Sequence, residues 1–231
     1  IIGGILFGLL SIFELDRTCR SRADVLIDTA VFPQTAALTR LLALLAAAVL
    51  TTVLTMLVWL PVSMGLIGVV FDLVDYVLAY LLFMGLALPL GVLAASSAYQ
   101  FTRRTDLSLA LFAAFCGLSL TVWVEKWQLC WLNPCVWALS DDFSNFRLFR
   151  SVAYMRLTWL AGLAGVWAVS YLCIRQYGKG AFGSLARSIR RVYRPVIAAV
   201  LLACSGVAYV AQPMVDNSNP DQMAMTFYEM A

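Results

Sequence analysis

Twenty consecutive residues from Leu41 to Leu60, LLALLAAAVLTTVLTMLVWL, carry no charge, and Pro61 closes the run. As an α-helix such a run reaches about 30 Å, the thickness of a bilayer's hydrocarbon core, so it reads as a transmembrane helix. The rest of the chain agrees with that solvent. Of its 231 residues 62% are hydrophobic and 13% charged, against roughly 45–50% and 25% in a soluble domain. One core of this size cannot hide such a surplus.

Four more spans follow the same logic. Residues 73–98 form a long one, with Asp72 and Asp75 at its start and Pro89 inside it, where a membrane helix is expected to kink rather than end. Residues 107–124 and 157–174 make two more, and 195–211 a short one that opens on Pro195, a favoured first helical residue. The apolar start, residues 1–13, is read as the tail of a partial helix. The expected fold is therefore all-α: a polytopic transmembrane bundle of about six membrane helices, one of them partial.

The basic residues orient these helices. Arg17, Arg20, Arg22, Arg40, Arg103, Arg104, Arg175, Lys179, Arg187, Arg190, Arg191 and Arg194 fall in alternate connections, twelve of the sixteen Lys and Arg in the chain. The other four, Lys126, Arg147, Arg150 and Arg156, are placed in the one long loop after residue 124, with Glu125, Asp141 and Asp142. The positive-inside rule makes the first set cytoplasmic. The protein is then a multi-pass cell-membrane protein whose tail, 212–231, lies outside.

Several chemistries are excluded or weakened. There is no histidine, hence no His-ligated zinc or haem, no Ser-His-Asp triad and no histidine proton relay. No G-x-x-x-x-G-K-[ST] phosphate loop occurs, and the cysteines have no metal-type spacing. Cys130 and Cys135, flanking a turn through Asn133-Pro134, fit either a disulfide on an oxidising outer face or two buried thiols. Asp72 and Asp75 are intramembrane acid candidates, but their position at a helix start weakens that reading and favours capping of free N–H groups. With Arg103 and Arg104 they mark the membrane interface. Trp123, Trp127, Trp131 and Trp137 read as an interfacial aromatic belt.

The segment 14–40 has a different texture. Glu14, Asp16, Arg17, Arg20, Arg22 and Asp24 alternate in charge before the triplet Val25-Leu26-Ile27, then Pro33 breaks the pattern and Arg40 leads into the membrane. It reads as a short cytoplasmic helix, either a solvated connector or a surface that docks on a soluble partner. Glu14, Arg17, Asp24, Leu26, Ile27, Thr29 and Val31, with Arg40 opening a Leu/Ala-rich span, resemble the cytoplasmic segment of ABC-2 type transporter permeases, which commonly reads E-R-x-x-G-T-x-E-x-L-L-x-T-P-V followed by G-K. The Gly-Thr pair is absent and Ala30 stands at the usual proline. The resemblance continues through Ala94-Ala95-Ser96-Ser97-Ala98 and the Arg103-Arg104 turn, through Leu132-Asn133-Pro134, and to Arg175-Gln176-Tyr177-Gly178, and so covers residues 1–178.

That likeness implies a permease subunit without enzymatic activity of its own. Cytoplasmic ABC ATPase subunits would bind ATP and Mg, a second permease subunit would complete the pathway, and membrane lipid would surround both, with no role for nucleic acid. Glu14, Asp16, Arg17, Arg20, Arg22 and Asp24 would form the ATPase-coupling contact. Residues 179–194 extend the plan as a basic cytoplasmic linker or interfacial helix, and 195–211 as an extra transmembrane helix. A secondary transporter or a structural membrane subunit is the alternative. The spans as drawn carry almost no midplane charge for a coupled ion.

Overall fold

The computed structural model describes residues 2–21, 31–67, 72–123, 129–132, 146–174, 186, 188–190 and 192–212. All regular structure among them is helical: α1 (Ile2–Arg20), α2 (Pro33–Ile67), α3 (Leu73–Ala79), a π-helical turn (Tyr80–Gly85), α4 (Ala87–Thr102), α5 (Thr105–Leu120), α6 (Phe146–Leu172) and α7 (Tyr193–Val210). Four helical stretches are long and apolar enough to cross a membrane: Pro33–Gly65, Leu73–Thr102, Phe149–Leu172 and Tyr193–Val210. α5, at 16 residues, is apolar but shorter.

Several boundaries differ from expectation, each for a local reason. Glu14 to Arg20 are the last turns of α1, not a separate helix, because nothing between Ile2 and Arg20 interrupts the backbone ladder. Pro33 opens α2 instead of breaking a helix, since the first helical position needs no N–H. Pro61 lies inside α2, which runs on to Ile67. Pro195 is the third helical residue of α7, which starts at Tyr193. The expected kink at Pro89 is replaced by a wide turn upstream. Leu86 N–H donates to the carbonyl of Leu81, five residues back, at 3.0 Å. This π-turn ends four residues before Pro89, where the Gly85 carbonyl of a regular helix would meet the proline ring.

α4 is the hub. Its residues Ala87 to Ser97 and Tyr99 are buried, and it packs against α1, α2, α5 and α6. Leu88, Leu90, Val92 and Ala95 share one core with Ile12 of α1, Ala48 of α2, Phe112 of α5 and Trp167 of α6. The closest approach uses the smallest residues. A Cβ built on Gly91 would lie 2.4 Å from the carbonyl oxygen of Gly4, and one on Gly8 would lie 2.2 Å from the Phe112 ring. The second interface repeats the device: α7 packs against α6, with Gly165 under Leu202 and Gly162 under Ser205. Small residues at helix crossings are what dispersion packing in lipid requires, because apolar burial there yields no gain over lipid contact.

Contacts also set the direction of each helix. Gln34 Nε2 donates to Ser188 Oγ at 2.9 Å and Arg194 reaches Gln34 Oε1. The Arg194 guanidinium lies 5.7 Å from the Tyr171 ring centre. The start of α2, the end of α6 and the start of α7 therefore meet at one end. Tyr76 donates to Met56 O at 2.8 Å, so α2 runs antiparallel to Leu73–Thr102 and the Arg103-Arg104 turn joins that same end. Gly8 faces Phe112 and Gly4 faces Leu132, beside Ser119, which points Arg20 there too. We call this the basic end.

The Gly4–Gly91 crossing generates a stability prediction. Gly91→Ala should lower the unfolding midpoint of the detergent-solubilised protein, by overpacking on the order of 1–3 kcal/mol. Gly117→Ala, with nothing within 4 Å of its Cβ, should not lower it; equal midpoints for the two would show that the crossing is not tightly packed.

Candidate functional site

The irregular backbone of residues 130–132 sits deep in the bundle. Cys130 and Trp131 are fully buried and Leu132 is 2% exposed. Its level follows from its neighbours. Leu132 touches the Gly4 position of α1 and its N–H donates to Ser119 Oγ at 3.2 Å, while the Trp131 carbonyl is held by Arg156 Nη1. Counted along their helices at 1.5 Å per residue, Gly4, Ser119 and Arg156 lie about 21–24 Å from the basic end. That is within a hydrocarbon core of about 30 Å. The apolar helices α2 and Leu73–Thr102 run well past this level.

Irregular backbone at membrane depth needs its polar groups met by protein. Trp131 N–H donates to Leu129 O at 2.9 Å, Leu132 N–H is met by Ser119, and Cys130 Sγ approaches Ser119 O at 3.5 Å. Arg156 supplies the charged member. It is 1% exposed, and lies on the inward stripe of α6 with Val152, Met155 and Trp159, ten residues after the helix begins.

Aromatic rings enclose this junction. Phe115 of α5 stacks on Trp131 (centroids 4.9 Å, planes 20° apart) and meets Trp159 edge-on at 5.4 Å. Trp123 completes the group at 5.9 Å from Phe115 and 5.3 Å from Trp159. Beside it, Leu82 of the π-turn packs on Phe149, Val152 and Met155. One buried cation, a non-helical segment and a π-turn thus share one region, with polar groups close to an apolar wall.

This region corrects two expectations. Arg156 is not in a loop: α6 begins at Phe146, so Arg156 is inside a helix, as are Arg147 and Arg150. Trp131 is no interfacial belt residue but a core one, and Trp123 is half-buried in the same cluster. Trp127 and Trp137 lie outside the described residues. The signal for Arg156 is in the sequence: Val152, Met155, Trp159 and Leu163 recur at helical spacing on its side, so extending the helix toward its N-terminus puts the charge on the apolar stripe.

The other expected residues fall at the helix ends. Asp72 caps α3, its carboxylate accepting from Val74 N–H at 2.8 Å, and Asp75 sits in the first turn. Arg103 is the left-handed C-cap of α4 (φ 52°) and Arg104 the extended residue that starts α5; both are exposed. At the tip of α1, Glu14 pairs with Arg17 at 3.1 Å and Asp16 with Arg20 at 2.5 Å, so the two acids and the two bases satisfy each other along one helix. Arg22, Asp24 and Cys135 lie outside the described residues, and with them residues 22–30 of the coupling segment and the Cys130–Cys135 pairing. Among the described residues no group of His, Cys, Asp and Glu could hold a metal.

Comparison with protein-family models, curated proteins and solved structures returned no match. Apolar helices of spanning length, and a buried polar junction between them, define a helical membrane protein.

Two fully buried serines test the junction. Ser119 accepts the Leu132 N–H, whereas Ser108 donates only within its own helix, to Thr105 O. Ser119→Ala leaves a buried donor unpaired and should cost about 1–3 kcal/mol in thermal or denaturant unfolding. Ser108→Ala should be nearly neutral, and equal losses would contradict the assigned role.

Proposed function

We propose that the chain is the membrane-spanning permease subunit of an ATP-driven ABC transporter, an exporter of the ABC-2 type, working with cytoplasmic ATPase subunits that bind ATP and Mg and with a second permease subunit. In this reading α1 and α5 also lie in the membrane, giving about six crossings, the basic end faces the cytoplasm of a cell membrane and the tail after α7 lies outside. Twelve of the sixteen basic residues support that orientation, and the removal of Arg156 from the outer loop strengthens the bias.

The observation that carries the proposal is the continuity of α1. Its charged tip, Glu14 to Arg20, with Glu14, Arg17 and Arg20 exposed, is the same unbroken helix that crosses α4 at Gly4–Gly91 beside Leu132. A push on the tip by an ATPase would travel along a rigid element to the hub and to the buried junction, and could bias two packings of the bundle. The chain has no phosphate loop, so nucleotide chemistry belongs to the partner. Arg156 favours a second reading, a secondary transporter, because such proteins place charge and broken helices near the membrane midplane.

The tip's internal ion pair gives a clean test. The swap Glu14→Arg with Arg17→Glu keeps a pair at the same spacing but reverses what a partner meets. We expect loss of ATPase co-purification and of stimulated ATP hydrolysis in the reconstituted complex, with unfolding unchanged. Retention of both would remove the coupling role, and substrate turnover without nucleotide would select the secondary transporter.

A further inference from the structure

Three buried donors in the aromatic cluster have nothing to donate to among the described residues: Arg156 Nε, Trp131 Nε1 and Trp159 Nε1. All are N–H groups, one on a cation, and all surround Phe115 or touch a residue that does. Arg156 spends one nitrogen on the Trp131 carbonyl, which is neutral. The two ion pairs among the described residues lie elsewhere, at the tip of α1. A guanidinium and two indole N–H groups can only donate, so what complements them is an acceptor, and a negatively charged one, since a cation at this depth is costly without a partner.

The surroundings restrict that acceptor further. Trp123 and Trp159 are half-buried, and on α5 Leu111 and Leu118, one turn to either side of Phe115, are 52% and 41% exposed. Among the described residues the cluster therefore meets the apolar outer flank of α5. A hydrated inorganic ion would have to shed its water to pass that flank, whereas a molecule with an apolar tail is already dissolved there.

We propose that Arg156, Trp131 and Trp159 bind the acidic headgroup of an amphiphile, a phosphate or carboxylate carried on an apolar tail, which enters from the lipid side between α5 and α6. The planar guanidinium and the indole donors hold the oxyanion, and the rings of Phe115 and Trp123 line the first part of the tail. This site requires no ATPase partner, so it stands or falls separately from the coupling role of α1.

The test uses the full chain in dodecyl maltoside, whose neutral headgroup on the same tail is the background. Dodecyl phosphate should raise the unfolding temperature with a saturable dependence on concentration, and inorganic phosphate should not at equal concentration. Trp159→Phe keeps a ring and leaves the contact between Arg156 and Trp131 untouched, and it should weaken binding about tenfold or more. Arg156→Gln should abolish it; if that variant does not fold, Trp159→Phe decides alone. Phosphatidylglycerol competing with dodecyl phosphate would assign the site to a membrane lipid, and failure to compete would assign it to a smaller amphiphile, both within the proposal. Absence of saturation, equal stabilisation by inorganic phosphate, or unchanged affinity in Trp159→Phe would overturn it.

Discussion

A peptide group inside a bilayer has no water to turn to, and the 129–132 segment places several such groups in the bundle's interior. The structure answers with side chains from two neighbouring helices: Ser119 of α5 takes the Leu132 N–H, and Arg156 of α6 takes the Trp131 carbonyl. Because those helices are themselves packed on α4, the junction ties together the elements that would otherwise meet only through dispersion. Each aromatic pair adds roughly 0.5–1.5 kcal/mol beyond its buried area, but the pairing of polar backbone sets the register.

The same constraint separates what was legible in the sequence from what was not. An unbroken apolar run such as Leu41–Leu60 leaves a helix little choice, and the spanning helices that contain it, residues 73–98 and 195–211, emerge close to where their hydropathy puts them. Asp72 as a cap was readable from residue type and position alone. Charge misleads as a boundary marker. Arg156 sits on an apolar stripe, and a rule that ends helices at arginines discards it. Glu14 to Arg20 end the apolar stretch of α1 without ending the helix, since i,i+3 and i,i+4 pairing lets the helix continue past it.

The π-turn at Tyr80–Gly85 and the depth of Trp131 were out of reach for a different reason. Both depend on partners distant in the chain: Leu82 against Phe149 and Met155, and Trp131 against Phe115 and Arg156. A tryptophan near the end of a span has the same local signature whether it floats at an interface or stacks in a core. Only the rings that meet there, Phe115 of α5 with Trp131 and with Trp159 of α6, decide between them.

The resulting picture is a hub helix with a rod, α1, running from a charged tip to a buried polar junction, and it rests on that junction being protein-enclosed. Hydrogen–deuterium exchange of the full chain in nanodiscs measures this directly. Peptides covering Trp131 and Leu132 should exchange as slowly as those of α4, since both amides are bonded and buried. Complete exchange of that segment within seconds, as for an exposed loop, would contradict the account.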